Sequence, residues 1–287
     1  MNRRLMQLEA DDFTNIMDGY AARKVQFRNC IDGGAAAGHT ARQMLPYLRE
    51  DGLVYAFEPF PGNFRFLDAI QSERIQVVKK ALYFETVTKD LFVGHTVAKD
   101  SAWARRGMEG YSSAGYLVDA PNAKGSLKNV QRPPDQLFSV SCVPADEAIG
   151  RDRPIDFVKL DLQGGELNAL MGMKRIIFEP HFLWIEFSDQ AGLLDYLYDL
   201  GFIIFETTYL LRGHDPSAAA KDFVFIKKGN LSSGNPVWLG RRITPWGRDF
   251  HDEFMLCKTK YSLVQTDIVC VHATRYQAFN RAVALMS

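Results

Sequence analysis

The sequence predicts an α/β protein built on a doubly wound, mostly parallel sheet, and three observations predict it. Short β-rich runs alternate with helical patterns through the first two-thirds of the chain, the arrangement that covers both faces of a parallel sheet with helices. Several of these runs end on an acidic residue, and the first acid opens a loop of glycines and alanines. Neither an internal repeat nor a low-complexity tract interrupts the pattern.

Taken in order, residues 27–32 (FRNCID) read as a strand that stops at a glycine cluster. Residues 38–50 read as a helix that Pro46 must kink or shorten. A second strand follows at 53–58 (LVYAFE), a second helix at 62–72 and a third strand at 75–78. Residues 81–93 read as a hairpin, because turn-prone Thr88, Lys89 and Asp90 separate two aromatic-rich runs. Residues 94–137 break the rhythm, with glycines at 107, 110, 115 and 125 and prolines at 121, 133 and 134. A loop-rich insertion of that length reads as a functional lid or a disordered excursion. The alternation resumes with strand 155–161, helix 165–178, strand 182–187, helix 190–200 and strand 202–206. From about 207 to 287 the pattern is irregular, with strand-like runs at 222–227 and 267–272 and a closing helix at 274–286. A single domain over 1–287 is the expectation.

Composition narrows the setting. The 287 residues are 47% apolar and 24% charged, with 34 basic against 34 acidic side chains. That balance argues against a nucleic-acid partner. Cys30, Cys142, Cys257 and Cys270 form no C-x-x-C pair, so they read as reduced thiols in a cytoplasmic protein rather than a disulfide frame or zinc site. No apolar run approaches the roughly 20 residues of a membrane span, and the N-terminal MNRRLMQLEADDF lacks the apolar core of a signal peptide.

Open α/β sheets bind ligands outside the carboxyl ends of their strands. Four predicted strands place an acid there: Asp32, Glu58, Asp161 and Glu186. One alone would read as a helix cap or turn former; four together read as a polar site. After Asp32 the chain runs Gly33-Gly34-Ala35-Ala36-Ala37-Gly38, small residues that let a ligand approach the backbone, with a helix opening near Gly38 to offer N–H groups. Glu58, at the end of the next strand, suits a pair of ribose hydroxyls. Loop and acid together predict an adenosine-containing ligand. The G-x-G-x-x-G spacing of dinucleotide sites is missing, and Asp32 would repel a pyrophosphate while welcoming an ammonium group. S-adenosylmethionine (SAM) is therefore expected over a nicotinamide dinucleotide.

Asp32-x-Gly34-Ala35-x-x-Gly38 resembles the D-x-G-A-x-x-G loop of the FkbM-type methyltransferases. Tyr55-Ala56-Phe57-Glu58-Pro59 with Asn63 and Phe64 resembles that family's A-F-E-P block, and Val78-Lys79-Lys80-Ala81-Leu82 stands where its third strand falls. The run from Ile155 through Asp161, Gly164, Glu166, Leu170 and Gly172 is similar to D-F-I-K-I-D-x-E-G-x-E-x-x-x-L-x-G. The resemblance covers about residues 29 to 188. It implies a class I methyltransferase (Rossmann-like) fold with strand order 3-2-1-4-5-7-6, the last strand antiparallel. It further implies SAM-dependent transfer to a hydroxyl of a sugar, glycan or natural-product small molecule. On it, Asp32, Gly34, Ala35 and Gly38 line the methionine part of SAM, and Glu58 with Pro59 holds the ribose. Gln163 departs from the pattern, standing where the family has Glu.

A hydroxyl nucleophile has to lose its proton, and Asp161 is the expected base, at the end of strand four. Lys159 lies two residues back on the same face. It reads as a partner of Asp161 or Glu186 or as a group acting on the substrate, with a structural ion pair as the alternative. Asp161 has a second reading as a helix cap, and Glu166 reads as a first-turn residue complementing the helix dipole. For the acceptor, the expected contacts are His95, Trp103, Arg105, Tyr111 and Glu186, with Arg106 and Tyr116 nearby in sequence. Trp238, Arg241, Arg242, Trp246 and Arg248 form a second basic, aromatic stretch; solvated loops are the alternative for both. His251-Asp252-Glu253 lacks the spacing that brings ligands onto one ion, so no metal is expected. Two other functions compete: a non-catalytic SAM-binding regulatory or assembly module, which Gln163 favours, and a nicotinamide oxidoreductase, which the loop spacing disfavours.

Overall fold

A computed structural model describes residues 13–94, 96–99, 104–118, 136–187, 190, 192–206 and 266–283. They fall into two compact units, one of residues 26–180 with 190–194 and one from the remainder.

The larger unit carries four parallel strands: β1 (Phe27–Gly33), β2 (Leu48–Phe57), β3 (Ile75–Val78) and β8 (Phe157–Leu160). β1 pairs with β2 on one edge and β8 on the other, and β2 pairs with β3. This is the expected 3-2-1-4 part of the order. Phe157, Val158 and Leu160 are buried, as a central parallel strand requires, and Lys159 is buried among them. The helix expected over 38–50 is shorter. α2 (His39–Met44) gives way to a 3-10 turn at Leu45–Tyr47 containing Pro46, and Leu48 already begins β2. α3 (Pro61–Asp68) follows β2.

A second sheet corrects the expected hairpin. β4 (Ala81–Leu82) and β5 (Val87–Val93) do not pair with each other, because β7 (Leu137–Val143) lies between them, parallel to β4 and antiparallel to β5. Thr88, Lys89 and Asp90 belong to the strand itself; Thr88 and Asp90 are exposed there, so turn-prone residues are tolerated. β6 (Gly115–Leu117), inside the predicted insertion, adds to the outer edge of β5. Leu91, Val93, Leu117, Val140 and Cys142 bury one face of this sheet together with Phe60, the residue that opens α3. α4 (Ala145–Ala148) leads into β8. α5 (Glu166–Met171) stops at Gly172, well short of residue 178, and Ile176–Phe178 forms a separate 3-10 turn. A Cβ at Gly172 would collide with the Tyr83 carbonyl, so the helix end is fixed by close packing.

The other unit holds β9 (Phe182–Phe187), β10 (Phe202–Glu206) and β11 (Thr266–His272), with β11 central and antiparallel to both. This is the expected 5-7-6 part of the order. α1 (Phe13–Ala21) was not expected. Its buried Phe13, Ile16, Met17 and Tyr20 recur at helical spacing, a signal that was readable. It packs on α7 (Tyr276–Val283), and a Cβ at Gly19 would strike the Ala282 carbonyl. Residues 193–199 form α6. The strand-like run at 222–227 lies outside the described residues. Among the described residues no helix is long and apolar enough to cross a membrane.

Candidate functional site

Register decides which side chains meet. Asp32 stands opposite Ala56 of β2 and Lys159 of β8. Cα partners in adjacent strands share a face, and residues two apart on one strand do too. Asp32, Lys159, Asp161 and Glu58 therefore lie on one face at the carboxyl ends of three neighbouring strands. Asp32, Lys159 and Glu58 are buried. The Glu58 amide still donates to Val78 O at 3.0 Å, so the pairing with β3 runs to the rim.

The loop after β1 is folded inward. The Gly34 and Ala35 amides both donate to Phe57 O, at 3.1 and 3.0 Å, and the Gly38 amide donates to Ala35 O at 2.7 Å. Ala36 donates to Glu58 Oε2 at 2.8 Å. Gly34 has φ +78°, and a Cβ there would collide with the Asp161 carbonyl. Gly38, at φ +74°, has no room for a Cβ beside Ile70. The amide of Gly38 itself is used inside the turn, and α2 opens at the next residue, His39. Phosphate cradles aim loop amides at the ligand; here those of Gly34, Ala35 and Gly38 end on backbone carbonyls and that of Ala36 on Glu58.

Glu58 organises this corner. Besides the bond from Ala36, its Oε1 accepts the Phe60 amide at 2.8 Å. Burial pushes its carboxyl up to about 7 against the pull of those bonds, and the charge of Asp32 pushes the same way. Pro59, half-buried, carries the chain from Glu58 to Phe60.

The turn after β8 presents Asp161. Lys159 Nζ lies 3.4 Å from its Oδ2, and Gln163 Nε2 donates to its Oδ1 at 2.8 Å. Gln163 sits at φ +55° and Gly164 at φ +106°, so the turn is left-handed at two successive residues. Glu166, fully buried, clips it shut: Oε1 accepts the Leu162 amide at 2.7 Å, and Oε2 accepts Gly164 at 3.0 Å and Gln190 Nε2 at 2.6 Å. Burial pushes Glu166 up to about 7. The residue before α5 is Gly165, with no side-chain cap, so the cap reading of Asp161 falls. Sequence reasoning gave Glu166 a dipole role and missed the clip.

Of the predicted acceptor contacts, Tyr111 is brought to the site. Its phenol feels the charges of Glu58, Asp161 and Lys159; burial pushes it up and a hydrogen bond with Ser113 draws it down. Arg105 and Arg106 are exposed on the 3-10 turn Ala104–Arg106. Tyr116 is buried against Phe92 in the second sheet, ring centroids 5.3 Å apart, so it is core. Glu186 is buried in β9 of the other unit, in register with Asp267. His95, Trp103, the stretch from Trp238 to Arg248 and His251-Asp252-Glu253 lie outside the described residues. Among the described residues no three His, Cys, Asp or Glu side chains gather as metal ligands would.

Open α/β sheets take their ligands outside the carboxyl ends of the strands, which is where this acidic rim and the glycine loop lie. The methyltransferase FkbM domain matches residues 32–204, so the chain belongs to the FkbM methyltransferase family and has its Rossmann-like α/β fold. Among solved structures, an FkbM methyltransferase from Methylobacillus flagellatus KT is 18% identical, covering 69% of this chain and 50% of that one, at TM-score 0.37. The chain thus spans half the length of that protein. A precorrin-6y C5,15-methyltransferase from Geobacter metallireducens GS-15 is 11% identical, covering 91% and 87%, also at TM-score 0.37. No curated protein matches the chain.

Proposed function

We propose that this protein is a SAM-dependent O-methyltransferase acting in the cytoplasm on a hydroxyl of a sugar, glycan or natural-product small molecule. One observation carries the reading: Asp32, Glu58, Asp161 and Lys159 share one face at the strand ends, beside a loop whose Gly34, Ala35, Ala36 and Gly38 amides are donated to the protein's own oxygens. The residues fit SAM on chemical grounds. Three carboxylates stand with one ammonium group, so the rim favours a ligand bearing cationic sulfonium and ammonium groups. A pyrophosphate would meet carboxylates, and the Gly34, Ala35, Ala36 and Gly38 amides are already spent on the protein's own oxygens, which weighs against a dinucleotide.

On this reading Asp32, Gly34, Ala35 and Gly38 hold or shape the methionine end, and Glu58 with Pro59 holds the ribose. Both Glu58 oxygens keep lone pairs beyond those taken by Ala36 and Phe60. Bound there, SAM supplies an activated methyl group to a hydroxyl oxygen. Asp161 takes the proton of that hydroxyl on a carboxylate oxygen. Lys159 and Gln163 orient that carboxylate through their contacts with its two oxygens. Tyr111 lines the acceptor side. Cys30 and Cys270 are buried free thiols, which supports a reducing compartment, and the balanced charge supports a small acceptor over a nucleic acid.

Calorimetric titration of cofactor-stripped protein with SAM, S-adenosylhomocysteine and NAD tests the reading. Micromolar SAM binding, sharply weakened in Glu58→Ala, is expected, followed by methyl transfer to members of a hydroxylated acceptor panel. A preference for NAD, or no binding of either sulfur ligand, would overturn it; binding without transfer would favour a non-catalytic SAM-binding module.

A further inference from the structure

Glu166 takes no part in the scheme above, yet it is fully buried and gathers three N–H donors on its two oxygens. Oε1 accepts the Leu162 amide at 2.7 Å, and Oε2 accepts the Gly164 amide at 3.0 Å and Gln190 Nε2 at 2.6 Å. The two amides stand on either side of Gln163, which holds a left-handed φ of +55°. Residues with a side chain rarely adopt that conformation, and it persists where neighbouring bonds impose it. From there Gln163 Nε2 donates to Asp161 Oδ1 at 2.8 Å. The Asp161 main chain is pinned from the β1 side. Its amide donates to Gly33 O at 3.0 Å, and a Cβ on Gly34 would strike its carbonyl. Gln190 is itself buried and comes from residues 190–194 of the same unit.

We propose that Glu166 is a positioning residue that sets the Asp161 carboxylate through the turn from Leu162 to Gly164, with Gln190 holding Glu166 in place. The inference rests on Asp161 being the base of the proposed function. Three donors on two sides of the carboxylate need both of its oxygens as acceptors. With both amides engaged, Gln163 stays left-handed and its carboxamide stays on Asp161, so the carboxylate keeps one orientation. Release of either amide lets Gln163 relax to an ordinary φ and withdraw that carboxamide. The Asp161 carboxylate then turns, and the base is misaligned although its main chain stays pinned at Gly33.

Two measurements on the full chain test this. Glu166→Gln keeps length and volume but offers one acceptor oxygen, so one of the two amide bonds is lost. In proton–nitrogen correlation spectra of the ligand-free protein, the Gln163 side-chain amide signals should move to where they stand in Asp161→Ala, with the amides of β1 and β2 unchanged. In turnover of SAM with the panel acceptor that the wild type methylates fastest, kcat should fall about a hundredfold, the cost of a misplacement of about 1 Å, with KM for SAM unchanged. In the Asp161→Asn background the same substitution should cost nothing further, because Glu166 acts through Asp161. A merely structural residue would lower both backgrounds alike. Gln190→Met keeps the volume and removes one donor; it should move the Gln163 signals part of the way and lower kcat about fivefold, with the same non-additivity, and it replaces Glu166→Gln if that variant does not fold. Unmoved Gln163 signals in a folded variant, or losses that multiply in the double variant, overturn the proposal. Wild-type turnover by Asp161→Asn instead sinks the base assignment of the proposed function.

Discussion

The two ends of β1 and β8 each carry a charge pair, and the pairs are built differently. At the amino end Asp156 is closed on all sides. Its Oδ2 accepts the Arg28 backbone amide at 2.7 Å, and the Arg28 guanidinium reaches both oxygens through Nε and a terminal nitrogen. Only 4% of the Asp156 side chain is exposed. At the carboxyl end Lys159 approaches Asp161 at 3.4 Å, and 36% of the Asp161 side chain is open. The first carboxylate has its hydrogen-bonding capacity directed into the protein, so it ties two strands. The second is oriented by Lys159 and Gln163 while one side stays open to whatever enters the site. The same residue type is buried in a structural pair at one end of the strand pair and partly exposed at the other.

Substitutions can break or sharpen this contrast. Asp161→Asn has the largest expected effect: removing a general base costs about 10²–10⁴ in rate, with the thermal unfolding midpoint nearly unchanged. Turnover of labelled SAM over an acceptor panel would measure it, and wild-type turnover would reassign the base. Asp156→Ala should do the reverse. Breaking a buried pair costs about 3–5 kcal/mol; with 39% of Arg28 exposed, about 2–3 kcal/mol is expected in denaturant unfolding, with turnover per folded molecule retained.

Glu58 provides a pH test. Its carboxyl, raised from 4.5 to about 7, must be ionised to accept ribose hydroxyls, so SAM affinity should fall about tenfold per pH unit below 7. Glu58→Gln should bind weakly and lose that slope. The raised values of Glu58 and Glu166 also set the sign for stability. Their contribution to the ligand-free protein is full below 4.5 and is lost as pH rises through about 7. The smallest effect is expected from Gln163→Glu, which puts a second carboxylate against Asp161. The acid limb of the pH–rate profile should move up by about one unit, with little change in the maximum rate.

Much of the site was legible because it depends on short-range pattern. An acid that ends an apolar β-rich run lies at a strand end wherever the strand goes, so Asp32, Glu58 and Asp161 could be named as rim residues in advance. Helix ends were less legible. α5 ends at Gly172, where a Cβ would strike the Tyr83 carbonyl, and no local signal announces a carbonyl arriving from another part of the chain. The second sheet was misread for a related reason. β7 enters between β4 and β5 from about fifty residues further on, and adjacency in sequence had suggested the wrong pair. α1 could have been found, since its apolar spacing is local.

By itself the sequence determined the alternation of strands and helices, the acidic strand ends and the glycine loop, and with them the family. These follow from periodicity and from residue chemistry within a few positions. Only the tertiary structure decided where hydrogen-bonding groups point: that the loop amides turn inward, that Glu58 and Glu166 each gather amides from several residues, and that Asn63 reaches Ser112 forty-nine residues away. Such bonds form between groups that have no sequence proximity, and their direction depends on the packing that brings the backbone segments together.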